Sequence, residues 1–516
     1  MDQDTTTQDL LLTWALRLAI GAGVFAFGFY LSWWFDIRLY QRHPWSALFF
    51  LLLFVCAITY GGVQLLGNWY LYLVARRSAI NKVDLPGVSI DVLVTAYNEP
   101  YSMIEKTLKA ACAMNREHTT WLLDDYQDPK LAKLAETIGA GYLTRPDRTN
   151  AKAGNLNAAL RRTTGDIVVI FDVDHVPAVD FLECSLGYFN DPKIGFVQVM
   201  LTFANIKESW VADAAIETSL EFYNPTSLGA YSIGGATLMG SNALIRRSAL
   251  DSIGGYQPGL AEDLATSINL HAAGWKSAYV AEPLAPGLAP PTFTAWYIQQ
   301  MKWARGVFEL LVSGYPKLFS RLTWGQKLSY AVRMTKYWIG PVVAAHMFAT
   351  IAILIFGDAA SRAAFHTYLI HITPLVACDA VIRYLGLYKW RHDTLPSTSL
   401  LRAVTLVYAT WPIYLSAWLM ALFRIDKSFQ PTPKSKHLRL HPLWLAPQFF
   451  AILLLLIGLL YTVLVKDHRP SILLIFAILQ GVLQLSFLIQ WMSADIIARR
   501  TEQAKIAVLT DDNGDF

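Results

Sequence analysis

The sequence predicts an α/β domain inserted between two groups of membrane-spanning helices. Three observations lead there. Of the 516 residues, 54% are hydrophobic and only 16% are charged, against roughly 25% charged in soluble domains, and the mean hydropathy is +0.34. Long, nearly uncharged stretches stand near the start of the chain and again beyond residue 330, each close to the ~20 residues that cross a hydrocarbon core. Between them, short Val- and Ile-rich runs alternate with polar helical stretches, the pattern of a mostly parallel sheet with crossover helices. A disordered chain, a disulfide-stapled secreted scaffold and a plain cytosolic enzyme are excluded. A net charge of +4 is too small to argue for nucleic acid. The 17 Trp and 24 Tyr suit a protein with membrane interfaces, where amphipathic rings collect. Cys56, Cys112, Cys184 and Cys378 form no CxxC or Cys/His pair of metal-site spacing and read as isolated reduced thiols.

Residues 1–80 read as N-terminal transmembrane helices, with Leu10–Trp34 carrying one charge, Arg17, and Ala47–Val74 carrying none. Met1–Asp9 is acidic, and the run from Leu10 is too long for a signal-peptide core, so it reads as a retained span. Residues 81–325 form the α/β domain, with candidate strands Ser89–Tyr97, Thr119–Leu123, Ile167–Phe171 and Gly195–Leu201. Residues 326–495 hold five further apolar segments: Tyr337–Phe356, Phe365–Tyr388, Val404–Phe423, Leu443–Val465 and Ile472–Trp491. A tail, 496–516, follows on the cytoplasmic side.

Flanking charge sets the orientation. Arg76 and Arg77, Lys389 and Arg391, and Arg499 and Arg500 each close an apolar segment, and the positive-inside rule places all three sites, and with them the α/β domain, in the cytoplasm. The basic loop Arg424–Arg439, with Lys427, Lys434 and Lys436, asks for the same side, yet three apolar segments separate it from the domain. One of the three must not cross. Val404–Phe423 is the choice, because Pro412 interrupts it and Arg402 and Arg424 pin its ends; it reads as an interfacial helix. The expectation is six crossings, with seven as the alternative, in a bacterial inner membrane.

Chemistry concentrates at strand ends. In IVVIFDVDHVP, Ile167–Pro177, an apolar strand runs into Asp172 and Asp174, where an open α/β sheet puts its ligand crevice. Two hard oxygen ligands there suit Mg²⁺ or Mn²⁺ bridging a diphosphate; the stretch alone fits a solvated Asp-Val-Asp turn equally well. VLVTAYNEP ends a second strand with Thr95, Tyr97, Asn98 and Glu99, and TTWLLDDY ends a third with Asp124 and Asp125. Lys152, in AKAGNLN, places a cation ahead of the DxD strand, though taken alone it fits a surface lysine at a helix start. In GLAEDL, Asp263 opens an amphipathic helix. In AWYIQQMKWARG, Gln299, Lys302, Trp303 and Gly306 share one helical face at i, i+3, i+4 and i+7. An interfacial anchor would account for Trp303 by itself.

Taken in order, TAYNE, LDD, DVDHVP, AED and QQMKW resemble the motifs of family-2 processive glycosyltransferases, in particular the bacterial cellulose synthase catalytic subunit and its β-glucan-synthase relatives. The resemblance covers residues 90–310 and extends to FQPTPK, Phe429–Lys434, which is similar to that family's gating loop (425–440 here). It implies a GT-A-type fold and a UDP-sugar-dependent β-glycosyltransferase that polymerises UDP-glucose into a linear β-glucan and carries it across the bilayer. It assigns Thr95, Tyr97, Glu99, Asp124, Asp125, Lys152, Asp172, Lys302 and Thr432 to the nucleotide-sugar, and Gln299 and Trp303 to the growing glucan acceptor. Asp172 and Asp174 would hold Mg²⁺ or Mn²⁺, and Asp263 would be the general base. The chemistry agrees: an attacking hydroxyl must lose its proton, a divalent cation neutralises the leaving diphosphate, and an aromatic face packs on a pyranose.

Four departures bear on the product. AED replaces the family's TED, Lys302 replaces the Arg of QxxRW and loses its bidentate fork, Pro431 stands in the gating loop where the family has Val, and Met239 precedes Gly240–Asn242 where cellulose synthases show a Cys-containing stretch. Arg305 compensates for Lys302 only if it turns inward. A curdlan-type β-1,3-glucan or a mixed-linkage glucan is therefore the alternative to cellulose. A non-processive lipid-linked transferase is another; chitin- or hyaluronan-like synthesis and a transporter with a degenerate enzyme domain are further ones. About 25 residues follow Trp491 and lack a basic cyclic-di-GMP motif, so no direct cyclic-di-GMP binding is expected of this chain, nor any nucleic acid; periplasmic export partners are an open expectation.

Overall fold

The computed structural model describes residues 7–35, 54–55, 57–77, 85–357, 359–393, 395, 401–425, 441–465 and 472–511. Cys56, Thr432 and the gating-loop stretch 426–440 lie outside them. The strands of the central domain are β1 Ile90–Ala96, β2 Thr119–Asp124, β3 Gly141–Leu143, β4 Ile167–Asp172, β5 Ile194–Val199, β6 Thr202–Phe203, β7 Ala243–Arg246, β8 Lys276–Val280 and β9 Pro286–Gly287. Seven make one sheet in the order β3-β2-β1-β4-β7-β5-β8, and β6 pairs with β9. All four strands expected from the sequence are present.

β1 and β5 are buried along their whole length, which is why such strands read as near-continuous apolar runs. Their residues alternate between two cores. Val92, Val94 and Val169 pack with Ile104, Leu108 and Leu131 on one face. Leu93, Val168 and Ile170 pack with Leu156, Ala159, Ala249 and Leu250 on the other. Crossover helices are delimited by their own residues. Pro129–Ile138, for example, starts at Asp128, whose side chain accepts the Lys130 N–H, and stops at Gly139 in the left-handed region.

β7 was not foreseen. It is antiparallel to both neighbours, with Ile170 opposite Ala243 and Gln198 also opposite Ala243. The chain reaches it through Gly240 at φ +88° and Asn242 at φ +55°, a left-handed turn that sends it back along the sheet. The start of β7 thus shares an edge with the ends of β4 and β5.

Among the described residues, five helices are long and apolar enough to cross a membrane: Thr7–Trp34, Trp324–Phe356, Arg362–Trp390, Pro442–Leu464 and Ile472–Ala494. Leu401–Ala409 and Trp411–Leu422, which bend by 44° at their break, would make a sixth if they form one span. The break falls beside Pro412, where the missing N–H and the pyrrolidine ring disrupt a continuous helix. Trp411–Leu422 packs on the domain helix Phe293–Val312, where Ile413, Tyr414 and Ala417 meet Trp296, Met301 and Phe308. The Tyr414 hydroxyl donates to Gln300 Oε1 at 2.9 Å.

The domain is tied to these helices by a stripe of acids. Asp213, Glu217 and Glu221 recur every four residues on Trp210–Glu221 and so share a face. Arg402 forks to Asp213 at 2.9 Å and Glu217 at 2.8 Å. Glu221 pairs with Arg383, which also binds Asp379 at 2.7 Å.

Candidate active site

The parallel register lines up the three strand ends. Ala96 lies opposite Asp124, and Thr95 lies opposite Asp172, so the polar residues that end β1, β2 and β4 share one rim of the sheet. The Thr95 hydroxyl donates to Asp172 Oδ1 at 3.1 Å, and the Asp172 N–H donates to Ser241 Oγ at 3.0 Å. Lys152, from the first turn of Ala151–Leu160, pairs with Asp172 and donates to the Gly240 carbonyl at 2.8 Å. Burial pushes the Asp172 carboxyl up, but Lys152 and His175 more than offset it and the group sits below the usual range. Burial likewise lowers Lys152, and Asp172, Glu262 and Asp263 outweigh it and hold the ammonium above its ordinary value.

Asp172, Asp174 and His175 each offer a ligand atom, all within 4.8 Å of one another. His175 is 8% exposed, and neither of its ring nitrogens is hydrogen-bonded to protein; its Nδ1 lies 3.4 Å from Asp174 Oδ1. Buried polar atoms without partners are rare and need a reason. Two carboxylates and an imidazole without a hydrogen-bond partner fit a divalent cation. Gly287 lies flat against the ring, where a Cβ would meet Nε2 at 2.5 Å. His175 stands inside the DVDH stretch, yet only the two acids were expected as ligands.

At the β2 end, Asp124 is fully buried and accepts from the Tyr126 N–H at 2.8 Å, the Asp128 N–H at 2.7 Å and the Tyr142 hydroxyl at 2.8 Å. Asp125 takes the Arg145 fork at 2.5 and 2.7 Å. Tyr97 and Tyr126 meet edge to face at 6.1 Å, and the Arg148 guanidinium lies 5.5 Å and 5.6 Å from their ring centroids. This aromatic and cationic wall offers a flat base a stacking surface; Tyr126 and Arg148 were not singled out in the sequence. Glu99 turns back to accept the Tyr97 N–H at 2.5 Å.

Asp263 sits in the first turn of Glu262–Ala272. Its Oδ1 accepts the Leu264 N–H at 2.7 Å, and its Oδ2 lies 3.6 Å from an Arg333 nitrogen. A Cβ built on Gly240 would lie 3.9 Å from Asp263 Oδ2 and 4.0 Å from Lys152 Nζ, so the carboxylate and the DxD lysine flank one glycine. Burial raises the neighbouring Glu262, with Lys302 opposing it.

The helix Phe293–Val312 carries the QQMKW stretch, capped by the Thr292 side chain on the Ala295 N–H. Gln299 and Lys302 are half-buried and Trp303 is exposed. Arg305 is buried and pairs with Glu309 of its own helix at 2.5 Å, while its Nη1 has no hydrogen-bond partner. Gly306 lets this helix lie against the AED loop, because a Cβ would meet the Ala261 nitrogen at 2.7 Å and the Leu260 carbonyl carbon at 2.8 Å. Helix propensity alone would favour Ala over Gly by about 1 kcal/mol, but those backbone atoms cannot rotate away and overpacking costs about 1–3 kcal/mol. Gly306→Ala is expected to lower the melting temperature. Gly314→Ala, where the neighbour is the Leu310 side-chain end at 3.1 Å, is the control that should not.

Residues 86–306 match the family described as glycosyltransferase like family 2. The chain is similar to cellulose synthase 1 catalytic subunit (UDP-forming) of Komagataeibacter xylinus, 32% identical over 342 residues, covering 63% of this chain and 46% of that one. It is also similar to the cellulose synthase catalytic subunit (UDP-forming) of Pseudomonas fluorescens, 33% identical over 317 residues, covering 59% of this chain and 42% of that one. The chain therefore spans less than half the length of these curated relatives. A solved mannosyltransferase of Pyrobaculum calidifontis is similar at 19% identity and a TM-score of 0.48, covering 66% of this chain and 97% of its own.

Proposed function

We propose that this chain, whose residues 86–306 match glycosyltransferase like family 2 and which is similar to the bacterial cellulose synthase catalytic subunit, polymerises UDP-glucose into a linear β-glucan and passes the product across the inner membrane. The observation that carries the proposal is the meeting of Asp263 with the DxD rim across Gly240, which puts a candidate base beside a candidate diphosphate site. Asp263 takes the proton from the acceptor hydroxyl as it attacks the anomeric carbon. Attack from the face opposite the leaving UDP turns an α-linked donor into a β-linkage. Asp172, Asp174 and His175 would hold a divalent cation, which supplies neutralisation of the diphosphate charge. Lys152 adds a fixed cation on the same side.

Tyr97, Tyr126 and Arg148 form the stacking wall for the uracil, with Asp124, Asp125 and Glu99 bracing the strand ends behind it. Thr95 orients Asp172 through its hydroxyl. Gln299 and Trp303 offer the acceptor an amide and an aromatic face, and Lys302 and Thr432 are assigned to the nucleotide-sugar by the resemblance alone. The domain lies on the cytoplasmic side, where UDP-sugars are made. The second reading, a β-1,3 or mixed-linkage glucan, is favoured by the AED loop, where Ala261, which carries no hydroxyl, packs tightly under Gly306.

Purified protein incubated with UDP-glucose and Mn²⁺ or Mg²⁺ is expected to release UDP and make a polymer. β-1,4-glucanase digestion supports cellulose and β-1,3-glucanase digestion supports the second reading. Resistance to both, or a product one sugar long, overturns the polymerase proposal.

A further inference from the structure

Arg333 belongs to the membrane helix that begins at Trp324, yet its side chain ends at the candidate base. We propose that Arg333 is a positioning residue for Asp263, aiming that carboxylate at the acceptor hydroxyl. The inference rests on the assignment of Asp263 as base. Among the described residues, Arg333 is the one Lys or Arg within ion-pair distance of Asp263; Lys152, the other nearby cation, is engaged with Asp172 and the Gly240 carbonyl.

The guanidinium is fixed on three sides. One nitrogen donates to the Thr237 hydroxyl, its face lies 5.2 Å from the Phe222 ring centroid, and the second terminal nitrogen faces Asp263 Oδ2 at 3.6 Å. The two side chains are 16% and 18% exposed, so water screens the attraction less than at a surface pair. The separation exceeds the ~2.7–2.9 Å of a charge-assisted hydrogen bond. Attraction is therefore retained while Oδ2 keeps a lone pair for an incoming hydroxyl. Oδ1 is already committed to the Leu264 N–H, so the two oxygens have separate tasks: Oδ1 is anchored by the helix start and Oδ2 is oriented by the membrane helix.

Arg333 also lines a small pocket with Thr237, Met239, Phe222 and Ser227. The domain contributes the base and a membrane helix contributes the cation that aims it. Any shift of that helix would then be felt at the reacting oxygen.

The test uses the full chain in detergent or nanodiscs. Arg333→Gln is expected to lower kcat about tenfold or more, the scale of effect a misaimed group produces, with KM for UDP-glucose unchanged. Arg333→Lys is expected to recover most of the rate, since a point charge preserves the attraction without the fork. Combined with Asp263→Asn, Arg333→Gln should add no further loss, because residues acting as one unit are not additive. A simple tether between helix and domain predicts otherwise: equal losses for Gln and Lys, or wild-type kcat for Arg333→Gln, and either overturns the proposal. If the parent protein transfers no glucose, the polymerase reading fails separately. The Arg333/Asp263 melting-temperature cycle then decides, with strictly additive shifts overturning the inference and coupled shifts supporting it.

Discussion

Asp263→Asn is expected to leave UDP binding intact and to lower glucose transfer about a thousandfold, within the range a positioned general base contributes. The substitution is nearly isosteric. Its side-chain oxygen can still accept the Leu264 N–H that now holds Oδ1 at 2.7 Å, so the start of the helix Glu262–Ala272 keeps its geometry. What disappears is the ability of the second oxygen to take a proton. Asp172 and Lys152, on the far side of Gly240, are untouched, so the nucleotide and the cation should bind as before. Calorimetric titration with UDP and Mn²⁺ checks the first half of the expectation, and polymer yield from labelled UDP-glucose checks the second. Full yield from this variant would remove Asp263 as the base. A parallel loss of UDP affinity would place it in donor binding instead.

How much of this was legible beforehand differs by feature, for physical reasons. β1, β4 and β5 declare themselves because strands covered on both faces must be apolar throughout. β7, four residues long, has no such run. It exists because the left-handed turn at Gly240 and Asn242 returns the chain along the sheet, a tertiary decision. The two acids of DVDH stand at a strand end where a metal or a solvated turn fits equally well, and the family resemblance assigns them to the metal. His175 escaped because an imidazole beside them acquires meaning only once its ring is seen buried and unengaged.

The acids Asp213, Glu217 and Glu221 carry a visible four-residue period, but their partners Arg402 and Arg383 lie more than 160 residues away along the chain. Arg333 was passed over for a related reason. A cation near the start of an apolar helix reads as a membrane-interface anchor, and nothing local says that it points at a carboxylate in the preceding domain. Pro412, whose effect is local, was read correctly as the interruption of its helix.

Asp125 separates architecture from recognition, and its removal is expected to be costly. Asp125 and Arg145 form a bidentate pair with side chains 8% and 6% exposed. The same guanidinium donates to the carbonyls of Thr149 at 2.6 Å and Ala151 at 2.8 Å, clamping the turn that delivers Lys152 to Asp172. Asp125→Ala strands that buried charge, and breaking such a pair costs about 3–5 kcal/mol. A marked fall in melting temperature should result, with loss of the Lys152 geometry. Replacing both partners, Asp125→Leu with Arg145→Met, removes the uncompensated charge and should recover most of the stability, since paired apolar replacements of buried ion pairs are often near neutral. Each carboxylate oxygen has two acceptor positions, and the Arg145 fork uses one on each, so Asp125 can still accept from a uracil N–H. If it does, UDP affinity stays low in the re-stabilised double variant. Recovery of affinity together with stability would instead make the pair purely a clamp, and would leave uracil recognition to Tyr97, Tyr126 and Arg148.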